Sequence, residues 1–397
     1  MLLRGSFRVF ARAAVRRFAY WAIAVLGLAS RLRRQPGKPE VVRSILVVRL
    51  DLLGDVLFTR PLVQGLRDRF PGAHITLLTL PYTGPLAGLF DEIDEVVTID
   101  TNRIRTPRGL LDPRTWRDYV RAAVAIRERD FDIGISVSGP MASLCVFLSG
   151  ARWRIGYADE AYPFLLTDRV PGGRYGERIH EVDYVRRLAS PVDANAPARL
   201  ELPVSDDARD SMDRKLGALG IKPEDRVVVI HAGAVNGSAK RWPAGSWARF
   251  IDRVVHASEA KVVLAGAQSD EAIARAVLTD TRAPAISLVG GTSIEELVAL
   301  IARADLVASG DSGPLHIAVA LGRPLVAAYG PTDPQVHGPY FPRAPTRVHR
   351  HDLPCSPCYS MAATAECPLG DPICMRLVTV QQMVDSAIEL LNMTAPH

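Results

Sequence analysis

A carboxylate stands where two apolar elements meet. In VVRLDLLGDVLFTRP (47–61) a strand-like run breaks at Gly54 and Asp55, and a helix-like run takes over. A charge beside two buried elements costs stability unless something uses it. Three later loops carry further candidates. HAGAVNGSAKRWP (231–243) begins with His231 and Gly233; its glycines expose backbone N–H groups and Lys240 adds a point charge. That combination suits a diphosphate, although the loop is neither a Walker motif nor GxGxxG, and a solvated turn is the alternative. LAGAQSDE (264–271) places Gln268 one loop past a strand, where it could meet a ribose hydroxyl. Helix capping by Ser269 or Asp270 is the competing role. In SGDSGPLHIAVALGRPLVAAYGPTDP (309–334), Pro314 marks a helix start behind Asp311, Ser312 and Gly313, with His316 in the first turn. Free N–H groups there favour phosphate by ~0.3–1 kcal/mol when exposed, and Asp311 and Ser312 read as caps or as ligands.

Four of five cysteines cluster near the end: Cys355, Cys358, Cys367 and Cys374, opening with C-x2-C. Bound zinc or iron in a structural role, reduced thiols and disulfides are all compatible with that spacing. Cys145 stands alone among apolar residues and reads as core.

These loops need strands to hold them. SILVVR (44–49), HITLLTL (74–80), EVVTID (95–100) and FDIGISVSG (131–139) read as strands, with helices expected over 56–70 and around 116–129. A connector over 190–224 precedes a second alternation of strands at 226–234, 261–266, 285–290, 306–313 and 324–331. Helices are expected over 244–256 and from near Asp270, Ser293 and Pro314, and a last one over 380–392 is expected to pack back across the domains. Apolar, β-branched strands alternating with helices predict an α/β fold of two Rossmann-like parallel-sheet halves facing across a cleft. Asp55 then lies just past the first strand's C-terminal end, where open α/β sheets bind ligands.

With 397 residues, 48% hydrophobic and 23% charged, the chain is globular and too long for one core. Its net charge of +5 suggests an anionic partner such as a phosphate, a nucleotide or an anionic lipid surface. The absence of helix-turn-helix, zinc-finger and RNP patterns argues against nucleic acid. Arg4, Arg8, Arg12 and Arg16 would form one basic stripe on a helix, followed by the uncharged FAYWAIAVLGLAS (18–30). That run falls short of the ~20 residues that span a bilayer, so residues 1–40 read best as an in-plane amphipathic anchor on an anionic membrane. A signal peptide, a mis-called start with the protein beginning near Val41, and a packed extra helix are the rivals. QPGKPE (35–40) reads as a linker.

GD at 54–55, KRWP at 240–243 and the 309–334 stretch together resemble the heptosyltransferases of bacterial lipopolysaccharide core synthesis, glycosyltransferase family nine. The resemblance runs from Ile45 to the C-terminus. It implies a GT-B fold, with an acceptor domain over 41–200, a donor domain over 201–350, and a Cys-rich segment with a final helix over 351–397. It also implies that Asp55 is the general base of a single inverting transfer and that Lys240 stabilises the leaving diphosphate without a metal. Asp311 matches the residue that holds donor-sugar hydroxyls, and Gly313 with nearby N–H groups would meet phosphate. Gln268 departs from the glutamate expected at the ribose, which leaves the nucleotide open. The implied reaction moves heptose from ADP-heptose to a lipopolysaccharide core or related lipid-linked glycan, with Arg60 expected at the acceptor. The implied location is cytoplasmic, peripheral on the inner face of the cytoplasmic membrane, where thiols stay reduced. Another sugar or acceptor, a non-catalytic nucleotide-sugar-binding protein, and an epimerase on the same fold are the alternatives.

Overall fold

The computed structural model describes residues 38–393 apart from 102, 104–108, 110–111, 161, 173–176, 236 and 360–365. The basic stripe and the uncharged run after it, on which the four N-terminal readings rest, lie outside the described residues.

The first half holds six parallel strands: β1 (Ser44–Val48), β2 (His74–Thr79), β3 (Glu95–Thr98), β4 (Ile133–Ser136), β5 (Trp153–Tyr157) and β6 (Asp168–Val170), in the order β3-β2-β1-β4-β5-β6. The second holds β7 (Val227–His231), β8 (Lys261–Leu264), β9 (Ala285–Ser287), β10 (Leu306–Gly310), β11 (Leu325–Ala328) and β12 (Thr346–His349), in the order β12-β11-β10-β7-β8-β9. Every pairing is parallel, for instance Ile45 with Ile75 and Ile133, or Val307 with Val229 and Leu325. The central strands are buried on both faces because they are runs of Val, Ile and Leu; β7 is buried throughout. Strand order reverses beside β1 in one sheet and beside β7 in the other. A crevice therefore opens past the C-terminal ends of β1 and β4, and of β7 and β10. The loops bearing Asp55, Lys240 and Asp311 leave from three of these four ends.

Two expectations need correction. The single helix expected over 56–70 is two, Leu53–Leu57 and Arg60–Arg69. Pro61 cannot sit in a helix interior but suits a first turn, and the Thr59 hydroxyl donates to the Asp55 carbonyl at the break (3.0 Å). The last helix, Val380–Met393, packs on Ala244–Ser258 and on β10, β11 and β12, so it seals the second half rather than crossing to the first. Sequence reading also missed β5, β6, β12 and the helix Pro140–Leu148. The strands are short and broken by charge, and that helix is apolar on nearly every face, so its sequence carries no 3.6-residue contrast.

The two halves share core. Helix Leu53–Leu57 of the first meets helix Gly313–Ala320 of the second, and Val56, Leu57, Leu315 and Ala318 belong to one buried cluster. The approach is close enough to demand glycine. A Cβ on Gly54 would stand 2.8 Å from His316 Cδ2, and one on Gly313 would stand 3.1 Å from Leu53.

Candidate active site

Asp55 occupies the third position of helix Leu53–Leu57. Its Oδ2 accepts from the backbone N–H of Leu52 (3.1 Å), so the capping role is present. Its Oδ1 accepts from Arg49 Nη2 at 3.0 Å. The carboxylate is 13% exposed, and what exposure it keeps opens onto a cleft of about 70 Å³ between the halves. Leu52, Gly54 and Phe58 line the cleft from the first half; Lys240, Asp311, Ser312, Gly313, His316, His337 and Tyr359 line it from the second.

Lys240, on a short turn after β7, is 8% exposed, and its ammonium donates to Asp311 Oδ2 (3.1 Å) while lying 4.7 Å from the centre of the Tyr359 ring. Burial alone would lower its pKa, but Asp311 foremost, with Asp55 contributing, holds it above its ordinary value. Burial would likewise raise Asp311, and Lys240 holds that carboxyl below the usual carboxylate range. The site therefore carries a buried, fully ionised pair at neutral pH. His316 is different: burial pushes it down to about 4 despite Asp311 Oδ1 at 3.9 Å, so its imidazole is neutral there. Its ring packs edge-on against Phe58 with centroids 4.6 Å apart.

The structure gathers Gly54, Asp55, Lys240, Asp311, Ser312, Gly313 and His316 around this cleft. The other expected donor residues stand elsewhere. His231 is buried, with Nδ1 3.0 Å from Ser312 Oγ and Nε2 3.4 Å from Asp270 Oδ2, so it ties the loops after β7, β8 and β10 together. Gly233 serves the same junction, since a Cβ there would stand 2.2 Å from Asp270 Oδ1. Asp270 also accepts from the Ala267 N–H (3.0 Å) and so does act as a cap. Gln268 is exposed; its amide donates to Glu271 (2.7 Å) beside Gly290.

Arg60 was expected at the acceptor. It is buried and grips Glu92 through Nε and Nη2 (both 3.1 Å) and the Glu201 carbonyl through Nη1 (2.6 Å). Its guanidinium fastens the connector to the first half.

The four C-terminal cysteines line one cavity of about 320 Å³ that shares Ala239 and Tyr359 with the neighbourhood of Lys240. All are free thiols, so no disulfide links them. Among the described residues no group of three or more His, Cys, Asp or Glu is placed to hold a metal ion. Cys367 donates to the Asp371 carbonyl (3.2 Å), and Cys374 is buried beneath Gly330.

Sequence reasoning missed Arg49, Glu181 and Tyr359. A charge at the end of an apolar strand was the available signal for Arg49; Tyr359 and Glu181 lie far along the chain, in no motif.

Comparison with known proteins bears on the family and the fold. The family model "Glycosyltransferase family 9 (heptosyltransferase)" matches residues 119–368. Lipooligosaccharide heptosyltransferase 2 of Haemophilus influenzae is 26% identical over 314 residues, covering 76% of this chain and 87% of that protein. Two solved structures share the fold. A family 9 glycosyl transferase from Veillonella parvula has a TM-score of 0.75 at 22% identity, covering 90% of this chain and 100% of that one. The ADP-heptose lipopolysaccharide heptosyltransferase II of Escherichia coli has 0.69 at 22%, covering 88% and 99%. The fold is thus GT-B. Among the described residues no helix is long and apolar enough to cross a membrane.

Proposed function

Because the chain belongs to glycosyltransferase family 9 (heptosyltransferase), and is a glycosyltransferase, we propose that it transfers heptose from ADP-heptose to a lipopolysaccharide core or related lipid-linked glycan, with inversion. The names of its relatives, a lipooligosaccharide heptosyltransferase and an ADP-heptose lipopolysaccharide heptosyltransferase, support this donor and acceptor class. In this reading the first half (41–200) takes the acceptor and the second (201–350) the donor. One observation carries the mechanism: Asp55 from one sheet's switch point and Lys240 with Asp311 from the other's line a single cleft.

The acceptor hydroxyl attacks the anomeric carbon while Asp55 takes its proton. The bond from that carbon to the diphosphate oxygen breaks, and ADP leaves with the electron pair. Arg49 and the Leu52 N–H already fix the carboxylate, so little reorganisation precedes proton transfer. Lys240 and the N–H groups at the start of helix Gly313–Ala320 meet the charge growing on the diphosphate. Asp311, which holds Lys240 in the described state, then becomes available to hydroxyls of the sugar. The N-terminal segment and the net charge of +5 support peripheral attachment to an anionic inner membrane surface.

The test is Asp55→Asn, with transfer followed by mass spectrometry and donor binding by calorimetry across ADP-heptose, ADP-glucose, GDP-mannose, UDP-sugars and free diphosphates. Loss of transfer with retained ADP-heptose binding is expected. Near wild-type turnover would remove the base assignment, and preference for another nucleotide would remove the donor.

A further inference from the structure

Arg49 touches no reacting atom in the proposed chemistry beyond the carboxylate it holds, and it is wholly buried at the end of β1 among three carboxylates. Nη2 donates both to Asp55 Oδ1 (3.0 Å) and to Glu181 Oε1 (2.9 Å), and Nε lies 3.0 Å from Asp51 Oδ2. Burial acts to lower its pKa; Asp51, Asp55 and Glu181 together raise it above the ordinary value, so it is a permanent cation. Such clusters are weak contributors to stability, because apolar side chains of similar volume fill the same space without desolvating charge. What the arrangement does supply is a fixed carboxylate orientation.

Glu181 connects that orientation to the second half. It begins helix Glu181–Arg186, and its neighbours reach across the cleft. His180 Nε2 donates to the Gly338 carbonyl (3.0 Å), and Asp183 accepts from the Tyr340 hydroxyl (2.6 Å). Arg178 pairs with Asp333. One short segment thus grips the second half and holds one arm of the arginine that holds Asp55.

We propose that Arg49 is the positioning residue for Asp55, and that Glu181 ties this positioning to the seating of the second half on the first. The inference rests on the reading of Asp55 as the base. The groups that act on Asp55 include Arg49 and Tyr82 from its own half, and Lys240 and His316 from the other; Asp51 and Glu181 face Arg49 itself.

The test is the pH–rate profile of kcat on the full chain. A base must be ionised, so activity falls through an acid limb. Removing a cation moves that limb to higher pH, and removing a competing carboxylate moves it to lower pH. Arg49→Met is expected to lose ~100-fold in kcat, within the range a positioned base supplies, with donor KM within about twofold and the limb raised. Arg49→Lys should restore part of the rate. Glu181→Gln should lower the limb, and Tyr340→Phe should reduce kcat without moving it. A purely structural role would shift Tm and scale kcat with no change in the limb. Should Arg49→Met fail to fold, Arg49→Lys and Glu181→Gln still decide. A limb that stays put or rises in Glu181→Gln, or an Arg49→Lys no more active than an uncharged replacement, overturns the proposal while Asp55→Asn remains inactive. An active Asp55→Asn overturns the base assignment beneath it.

Discussion

Lys240→Met should cost far more stability than loss of a surface lysine. The ammonium and the Asp311 carboxylate stand 3.1 Å apart, 8% and 9% exposed. At an effective dielectric of ~20 that separation corresponds to about 5 kcal/mol of attraction. Most of it offsets the burial of the two charges, so the pair contributes little net stability, but removing one partner strands the other, which typically costs ~3–5 kcal/mol. The double variant Lys240→Met/Asp311→Asn should therefore regain most of the loss. The pH dependence has a definite sign. Asp311 is held below its ordinary value by Lys240, so its contribution is present above the unfolded pKa and fades as pH falls through the folded one. In Lys240→Met the stranded carboxyl protonates more readily, so the deficit against wild type should be largest near pH 7 and shrink as the medium is acidified. Chemical unfolding of the four proteins of the cycle at neutral and acid pH gives the numbers. A deficit below ~1 kcal/mol, or a double variant no more stable than the single, would refute the reasoning. Transfer should be lost in every variant that lacks Lys240, including the one whose stability recovers.

Gly54→Ala places a methyl 2.8 Å from His316, an overpacking expected to cost ~1–3 kcal/mol and to lower kcat by spreading the halves, measured by unfolding and steady-state kinetics. Arg60→Ala leaves Glu92 and the Glu201 carbonyl without their donor, so it should lower stability by ~2–4 kcal/mol and leave KM for acceptor unchanged. An altered acceptor KM would return Arg60 to the site. In thiol titration, exposed Cys355 and Cys358 should react at once. Cys145, whose pKa burial pushes up to about 12, should react only on unfolding.

The central strands were legible because β1, β7, β10 and β11 are uninterrupted apolar runs bounded by glycine or charge, and a parallel sheet buries both faces of such strands. Two edge strands were not: β6 (DRV) and β12 (TRVH) are held by one neighbour and carry charge, whereas the edges β3 and β9 could be read. The residues past β1, β7 and β10 were legible as candidates because strand ends are where such sheets place ligands. Their division of labour was not. Nothing in HAGAVNGSAKRWP says that Lys240 lines the cleft while His231 is buried behind it, since that depends on where Ser312 and Asp270 lie, 81 and 39 residues away. The contacts of Arg60 were hidden for the same reason, because Glu92 and Glu201 lie outside its motif.

His231 accounts for the construction of the donor side. A loop that presents N–H groups to a diphosphate cannot collapse onto its own backbone, so something behind it must hold its shape. Behind this loop, His231 touches Ser312 of the β10 loop and Asp270 of the β8 loop, and Ser312 in turn lies 2.8 Å from Ser309. Gly233 and Gly266 leave room for the Asp270 carboxylate, which would collide with a Cβ at either. Asp270 is held below the usual carboxylate range, with His231 foremost in opposing the effect of burial, so this junction keeps its charge at neutral pH. The motif residues thus fall into two layers. Lys240, Asp311 and Gly313 face the cleft, while His231, Gly233 and Asp270 brace them from behind. Substitutions in the rear layer should weaken donor binding before they touch the proton-transfer step, because Asp55 is held by Arg49 and Leu52 in the other half.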